Sequence, residues 1–108
     1  MAVRLTKPWR ELSEANLSQV KGQLGVYQLG SQATGIVFIG CADARSLFGL
    51  RSELQKHLGA GLSFRIEVTT AYQTRYRELL MAFYADHGCY PPMNKLDELP
   101  KLGRLSPA

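Results

Sequence analysis

The run Leu24-Gly25-Val26-Tyr27-Gln28-Leu29, the spacer Gly30-Ser31-Gln32-Ala33-Thr34 and the run Gly35-Ile36-Val37-Phe38-Ile39-Gly40-Cys41 decide the fold. The first run alternates in part, and the second is rich in β-branched residues, which suit a pleated surface. A short polar spacer containing glycine joins such runs as a β-hairpin. Upstream, Ser13 and Glu14 precede Leu17 and Val20 at helical spacing. That spacing predicts a short helix from about Ser13 to Lys21, with Ser13 or Asn16 as its cap. Downstream, Ser46 to Leu58 places Leu47, Leu50, Leu54 and Leu58 at steps of three and four. This is one apolar stripe on a helix, capped by Ser46 or Asp43 and closed by Gly59 and Gly61. Phe64 to Val68 alternates apolar and charged residues, the period of a half-buried strand with Arg65 and Glu67 on its wet face. From Tyr72 to His87, Tyr72, Tyr76, Leu79, Leu80 and Phe83 recur at helical intervals, and Gly88 supplies a stop.

The predicted order is helix, strand, strand, helix, strand, helix. It implies an α+β domain with a small, mostly antiparallel three-stranded sheet flanked by helices. Residues 1–23 read as a lead segment with a short helix and residues 24–94 as the domain. Residues 95–108, with Pro100, Gly103 and Pro107, read as a loosely attached tail.

Composition narrows the function. The chain has 108 residues, 45% apolar and 20% charged, enough for one core without metal or disulfide staples. Its apolar runs are a few residues long, far short of the roughly 18 that a membrane span needs. Met1 to Arg10 carries Arg4, Lys7 and Arg10 with no apolar stretch behind them, which does not read as a secretory signal. A cytoplasmic location is the expectation. Cys41 and Cys89 form no C-x-x-C pair and read as free thiols of a reducing compartment. The net charge of +4 suits an anionic partner such as nucleic acid.

Gly25-Val26-Tyr27, ten intervening residues and Phe38-Ile39-Gly40 lie on the two strands of the hairpin. This pair of triplets resembles the GIY-YIG nuclease domain, with Val26 for Ile in the first and Phe38 for Tyr in the second. Three further positions extend the resemblance. The family carries an Arg in the helix after the second triplet, where Arg51 lies, a Glu in a later helix, where Glu78 lies, and an Asn in a Pro-containing loop, where Asn94 follows Pro91-Pro92-Met93. The resemblance spans about residues 24–94. It implies a metal-dependent endonuclease that hydrolyses phosphodiester bonds, DNA ahead of RNA, with one Mg²⁺ or Mn²⁺. Arg45 competes with Arg51 for the arginine's role.

The side chains can be matched to that chemistry. A hard cation keeps several waters, so Glu78 suffices as protein ligand when substrate oxygens supply the rest. The planar, permanently charged fork of Arg51 suits a scissile phosphate. Tyr27 is the candidate to take or position the proton of the attacking water, although a phenol ionises only near pH ~10. Asn94 would brace the site by hydrogen bonding. Arg45, Arg75, Arg77 and His87 are candidates to contact substrate phosphates. Two residues depart from the family pattern: Phe38 lacks a hydroxyl, and Cys41 stands where several relatives place a Lys. Two other functions fit the same residues. One is a non-catalytic nucleic-acid-binding module using Arg45, Arg51, Arg75 and Arg77. The other is a small protein-interaction domain whose Leu- and Tyr-bearing helices meet a partner.

Overall fold

A computed structural model describes residues 4, 5, 7–42 and 49–94. Arg45, the predicted caps Asp43 and Ser46, and the tail from Lys95 lie outside the described residues. In chain order the elements are β1 (Arg10–Glu11), α1 (Glu14–Leu17), β2 (Gly25–Ser31), β3 (Gly35–Ala42), α2 (Gly49–Gln55), β4 (Ser63–Val68) and α3 (Tyr72–His87).

The hairpin forms with Gly25 opposite Ala42, Tyr27 opposite Gly40 and Ser31 opposite Gly35. The other side of β2 pairs antiparallel with β4, Tyr27 opposite Ile66 and Gln28 opposite Arg65. The α+β class holds, with four strands among the described residues, in the order β1-β4-β2-β3, where the sequence predicts three. The extra strand is β1, which adds Arg10 opposite Phe64 and Glu11 opposite Ser63 at the edge of β4. Two residues, both charged and exposed, carry no alternation that could reveal a strand.

Residues on β2 are buried from Gly25 to Gly30 because helices cover both faces of the sheet. On one face Tyr27, Leu29 and Phe64 pack against Leu17 of α1 and Leu50 and Leu54 of α2. On the other, Val26 and Ile39 pack against Leu79, Leu80 and Phe83 of α3. A strand buried on both faces shows its alternation only as a choice between two cores, which explains why the first run alternates only in part.

The register slips by one residue between Leu29 and Gly30. Just there the outer edge of β3 is covered by the segment after α3. Met93 donates its N–H to the Val37 carbonyl at 2.9 Å. The Asn94 carboxamide then clasps the Ile39 backbone from both sides, its Oδ1 accepting from Ile39 N and its Nδ2 donating to Ile39 O, each at 2.9 Å. An open strand edge invites pairing with other chains, and here one side chain supplies the missing ladder bonds.

The helices differ from expectation at their ends. Ser13 does cap α1, its Oγ accepting from Asn16 N at 3.3 Å. The helix ends at Leu17 rather than Lys21 because the chain tightens: Gln19 N donates to Asn16 O at 3.1 Å and Val20 N to Leu17 O at 3.0 Å. Helix α2 likewise ends at Gln55, and tight turns, with His57 N donating to Leu54 O at 3.0 Å, carry Leu58 onto the core. Helix α3 spans the predicted Tyr72 to His87, closed by Gly88, whose φ of 73° is left-handed and whose N–H donates to Tyr84 O at 2.7 Å. Among the described residues no helix is long and apolar enough to cross a membrane.

Candidate functional site at the edge of the hairpin

The two triplets meet as their register requires. Tyr27 lies across from Gly40, and its ring is so close that a Cβ on residue 40 would collide with the ring and hydroxyl oxygen. Phe38, two residues earlier on β3, shares that face, 5.9 Å from Tyr27 between ring centroids. The His57 ring completes the group, 5.0 Å from Phe38 and 6.1 Å from Tyr27. The Tyr27 hydroxyl donates to Glu53 Oε1 of α2 over a long 3.5 Å, and Lys56 Nζ reaches the other Glu53 oxygen at 3.1 Å. Asn94 binds Ile39, the middle residue of the second triplet. The sheet edge around residues 38–40 therefore gathers Tyr27, both triplets and Asn94, with Glu53 and His57 as additions. Sequence reading missed Glu53 and His57, and the one available signal was their place on and just beyond the helix bearing Arg51.

Burial is the main cause that pushes the Tyr27 phenol above its ordinary pKa, and the negative charge of Glu53 adds to it. Tyr27 thus keeps its proton and directs it toward Glu53. In the unfolded chain the phenol ionises near pH ~10. The raised folded value means that its contribution to stability is intact below pH ~10 and is lost as pH rises beyond it. Denaturant midpoints of wild type are expected to fall in that alkaline range, and Tyr27→Phe to shrink the fall.

His57 is shifted the other way, its pKa lowered chiefly by burial, with Glu53 opposing and Lys56 reinforcing the shift. An unfolded His takes its proton near pH ~6.5. The unfolded state therefore binds this proton first, and stability falls as pH drops below ~6.5 and on through the lower folded value. His57→Gln is expected to flatten the dependence of the denaturant midpoint between about pH 7.5 and 5.

The remaining expected site residues are dispersed. Arg51 is exposed, lining a shallow depression of about 190 Å³ with Glu14, Leu17 and Gln55 between α1 and α2. Residues two apart on a helix are turned about 200° from each other, so the arrangement that brings Glu53 to Tyr27 turns Arg51 outward. Glu78 lies on α3, which packs against the opposite face of the sheet. Its Oε1 meets Arg75 Nη1 at 3.5 Å, and Arg75 also grips Glu67 of β4 at 2.7 and 3.1 Å. Among the described residues no hydrogen bond, ion pair or ring contact joins Tyr27, Arg51 and Glu78.

The four residues expected to meet substrate phosphates divide. Arg45 lies outside the described residues. Arg75, with its side chain 14% exposed, is committed to two carboxylates. Arg77 is exposed. His87 stacks on Phe83 at 4.2 Å near the far end of α3. Removing Glu67 would take from the part-buried Arg75 guanidinium its two shortest carboxylate contacts. Glu67→Ala is expected to lower the unfolding free energy by about 2 kcal/mol, with Glu78→Ala costing less because its contact is longer and more exposed. Urea denaturation of both variants measures the difference.

Among the described residues no group of three His, Cys, Asp or Glu side chains is arranged to hold a metal ion. Glu78, with its side chain 42% exposed and only one long contact, is the single expected ligand with an oxygen open to solvent.

Residues 3–87 match the family described as a domain of unknown function, DUF7508, and the chain belongs to that family. No curated protein matches the chain. No solved structure matches it.

Proposed function

We propose that the domain binds the phosphodiester backbone of nucleic acid on a scaffold of the GIY-YIG kind. The observation that supports this most is the convergence at the β3 edge. Tyr27 crosses over Gly40 beside Phe38, and Asn94, distant in sequence, holds Ile39 between them. Both triplets and Asn94 are among the positions that carry the resemblance, and their proximity supports the reading. Binding without hydrolysis is the reading favoured by Glu78, which leans toward Arg75. The exposed Arg51 and Arg77 supply guanidinium forks for phosphates, within a chain of net charge +4.

Contacts of this kind release counterions, so affinity falls steeply as salt rises. Fluorescence anisotropy with labelled single-stranded DNA, duplex DNA and RNA tests it, with chelator present throughout. Arg51→Gln and Arg77→Gln are each expected to weaken binding and reduce the salt slope by about one. Unchanged affinity and slope in both variants would remove these arginines from the interface.

One observation favours a second reading, metal-dependent endonuclease activity. The open oxygen of Glu78 could hold one Mg²⁺ or Mn²⁺, which when bound supplies charge stabilisation at a phosphate. The chain's own part would be to hold the cation through Glu78, while Arg51 lies on the helix that packs against the other face of the sheet. Cleavage of DNA in Mg²⁺ or Mn²⁺ that is abolished by Glu78→Ala selects this reading. Intact DNA under the same conditions selects binding alone.

A further inference from the structure

The α3 face holds a cleft of about 400 Å³, whose lining includes Gln28 and Arg65 on its floor and Leu79, Phe83 and His87 along its wall. None of the motif positions at the hairpin edge lines it. Arg4 and Asp86 border the cleft and neutralise each other through a two-bond ion pair at 2.6 and 2.8 Å.

Arg65 is different. Its guanidinium carbon lies over the Trp9 ring, 4.2 Å from the centroid, and it donates Nε to Gln28 Oε1 at 2.7 Å and Nη1 to the Lys7 carbonyl at 3.2 Å. Both acceptors are neutral, and among the described residues no carboxylate lies within ion-pair reach of it. Burial lowers its pKa, the mark of a cation that has lost water without gaining a counter-ion. A half-buried guanidinium is usually paired, because desolvation otherwise costs free energy.

Gln28 makes the site directional. It is 2% exposed, in the central strand, and the buried polar residue of the described core. A guanidinium can only donate, so the Gln28 oxygen faces Arg65 and its NH₂ faces elsewhere. That NH₂ has no protein acceptor among the described residues, yet no fully enclosed side-chain nitrogen or oxygen there lacks a partner. The Gln28 Nε2 therefore keeps a trace of exposure, and Gln28 lines the cleft. A charged donor and a neutral one thus line it beside an apolar wall, the composition of a small-molecule site.

We propose that this cleft binds a small organic anion, a carboxylate or phosphate monoester carrying an apolar or aromatic body, through Arg65 and the Gln28 carboxamide. The anionic oxygens take the donors left open on Arg65 and Gln28, and the apolar body lies along Leu79 and Phe83. The inference is independent of the nucleic-acid reading, which rests on the hairpin edge, Arg51 and Arg77, none of which lines the cleft.

Benzoate, phenyl phosphate and inorganic phosphate at millimolar concentration are the probes, followed by ¹H–¹⁵N NMR of the full chain. Benzoate or phenyl phosphate is expected to shift the Gln28 side-chain NH₂ and the Arg65 Nε–H saturably, with inorganic phosphate weaker by about tenfold for want of the apolar body. Arg65→Gln is expected to weaken binding at least tenfold. Since that variant also loses the Trp9 stack, Gln28→Leu serves as the second, removing the neutral donor while keeping the charge, with the guanidinium still held over Trp9 and by the Lys7 carbonyl. Phenyl phosphate binding with benzoate inert narrows the ligand to phosphate monoesters, and the converse to carboxylates. The proposal is overturned if no probe moves these two groups, or if folded Arg65→Gln and Gln28→Leu both bind as wild type does.

Discussion

Gly40→Ala is expected to lower the unfolding free energy by about 3 kcal/mol, a large loss for one methyl group. A Cβ at this position runs into the Tyr27 ring and its hydroxyl oxygen. The ring cannot retreat. It is 2% exposed, with Phe38 and His57 beside it and Leu50 and Leu54 of α2 in the same core. The cost is therefore paid as strand displacement or an off-rotamer tyrosine rather than as a small shift at a surface. The cause can be isolated by a double-mutant cycle. Tyr27→Leu alone is expected to destabilise by leaving a cavity, but in that background Gly40→Ala should cost about 1 kcal/mol or less, because the colliding ring is gone. Additive costs in urea denaturation would show that Gly40 serves something other than the passage of Tyr27.

Asn94→Leu is expected to cost about 3 kcal/mol, close to the Gly40 effect. The side chain bonds both backbone groups of Ile39, so its loss leaves an N–H and a C=O on a part-buried strand edge without partners. Asn94→Asp discriminates between polarity and the two-sided clasp. A carboxylate still accepts from Ile39 N, but it cannot donate to Ile39 O and repels it at close range. Aspartate is thus expected to rescue little. Amide exchange at Ile39 should accelerate in both variants well before global unfolding, because the segment after Gly88 loses its anchor on β3. A protected Ile39 amide in Asn94→Leu would contradict this role.

The parts of the fold that were legible in the sequence are those whose side chains repeat. Helix α3 is continuous from Tyr72 to His87, as its apolar spacing and Gly88 predict, because one stripe packs on one face and a single glycine ends it. The hairpin is legible for a related reason, as two β-rich runs flank a turn. What was not legible depends on neighbours distant in the chain. Strand β1 exists only because β4 offers an edge to Arg10 and Glu11. Arg75 reads as a helix-surface cation until β4 brings Glu67 beneath it. The same holds within the site. The pairing of Tyr27 with Gly40 follows from hairpin register, which is local. The separation of Arg51 from Glu78 follows from α2 and α3 packing on opposite faces of the sheet, a choice that the spacing of neither helix encodes.

Whether the domain binds phosphodiester backbone is read from the anisotropy of labelled DNA and RNA in chelator across a salt series. Binding at low salt is expected, with an affinity that falls log-linearly with salt and a slope that is reduced in Arg51→Gln. Absence of binding to any of these nucleic acids at low salt, by wild-type protein shown to be folded, would contradict it.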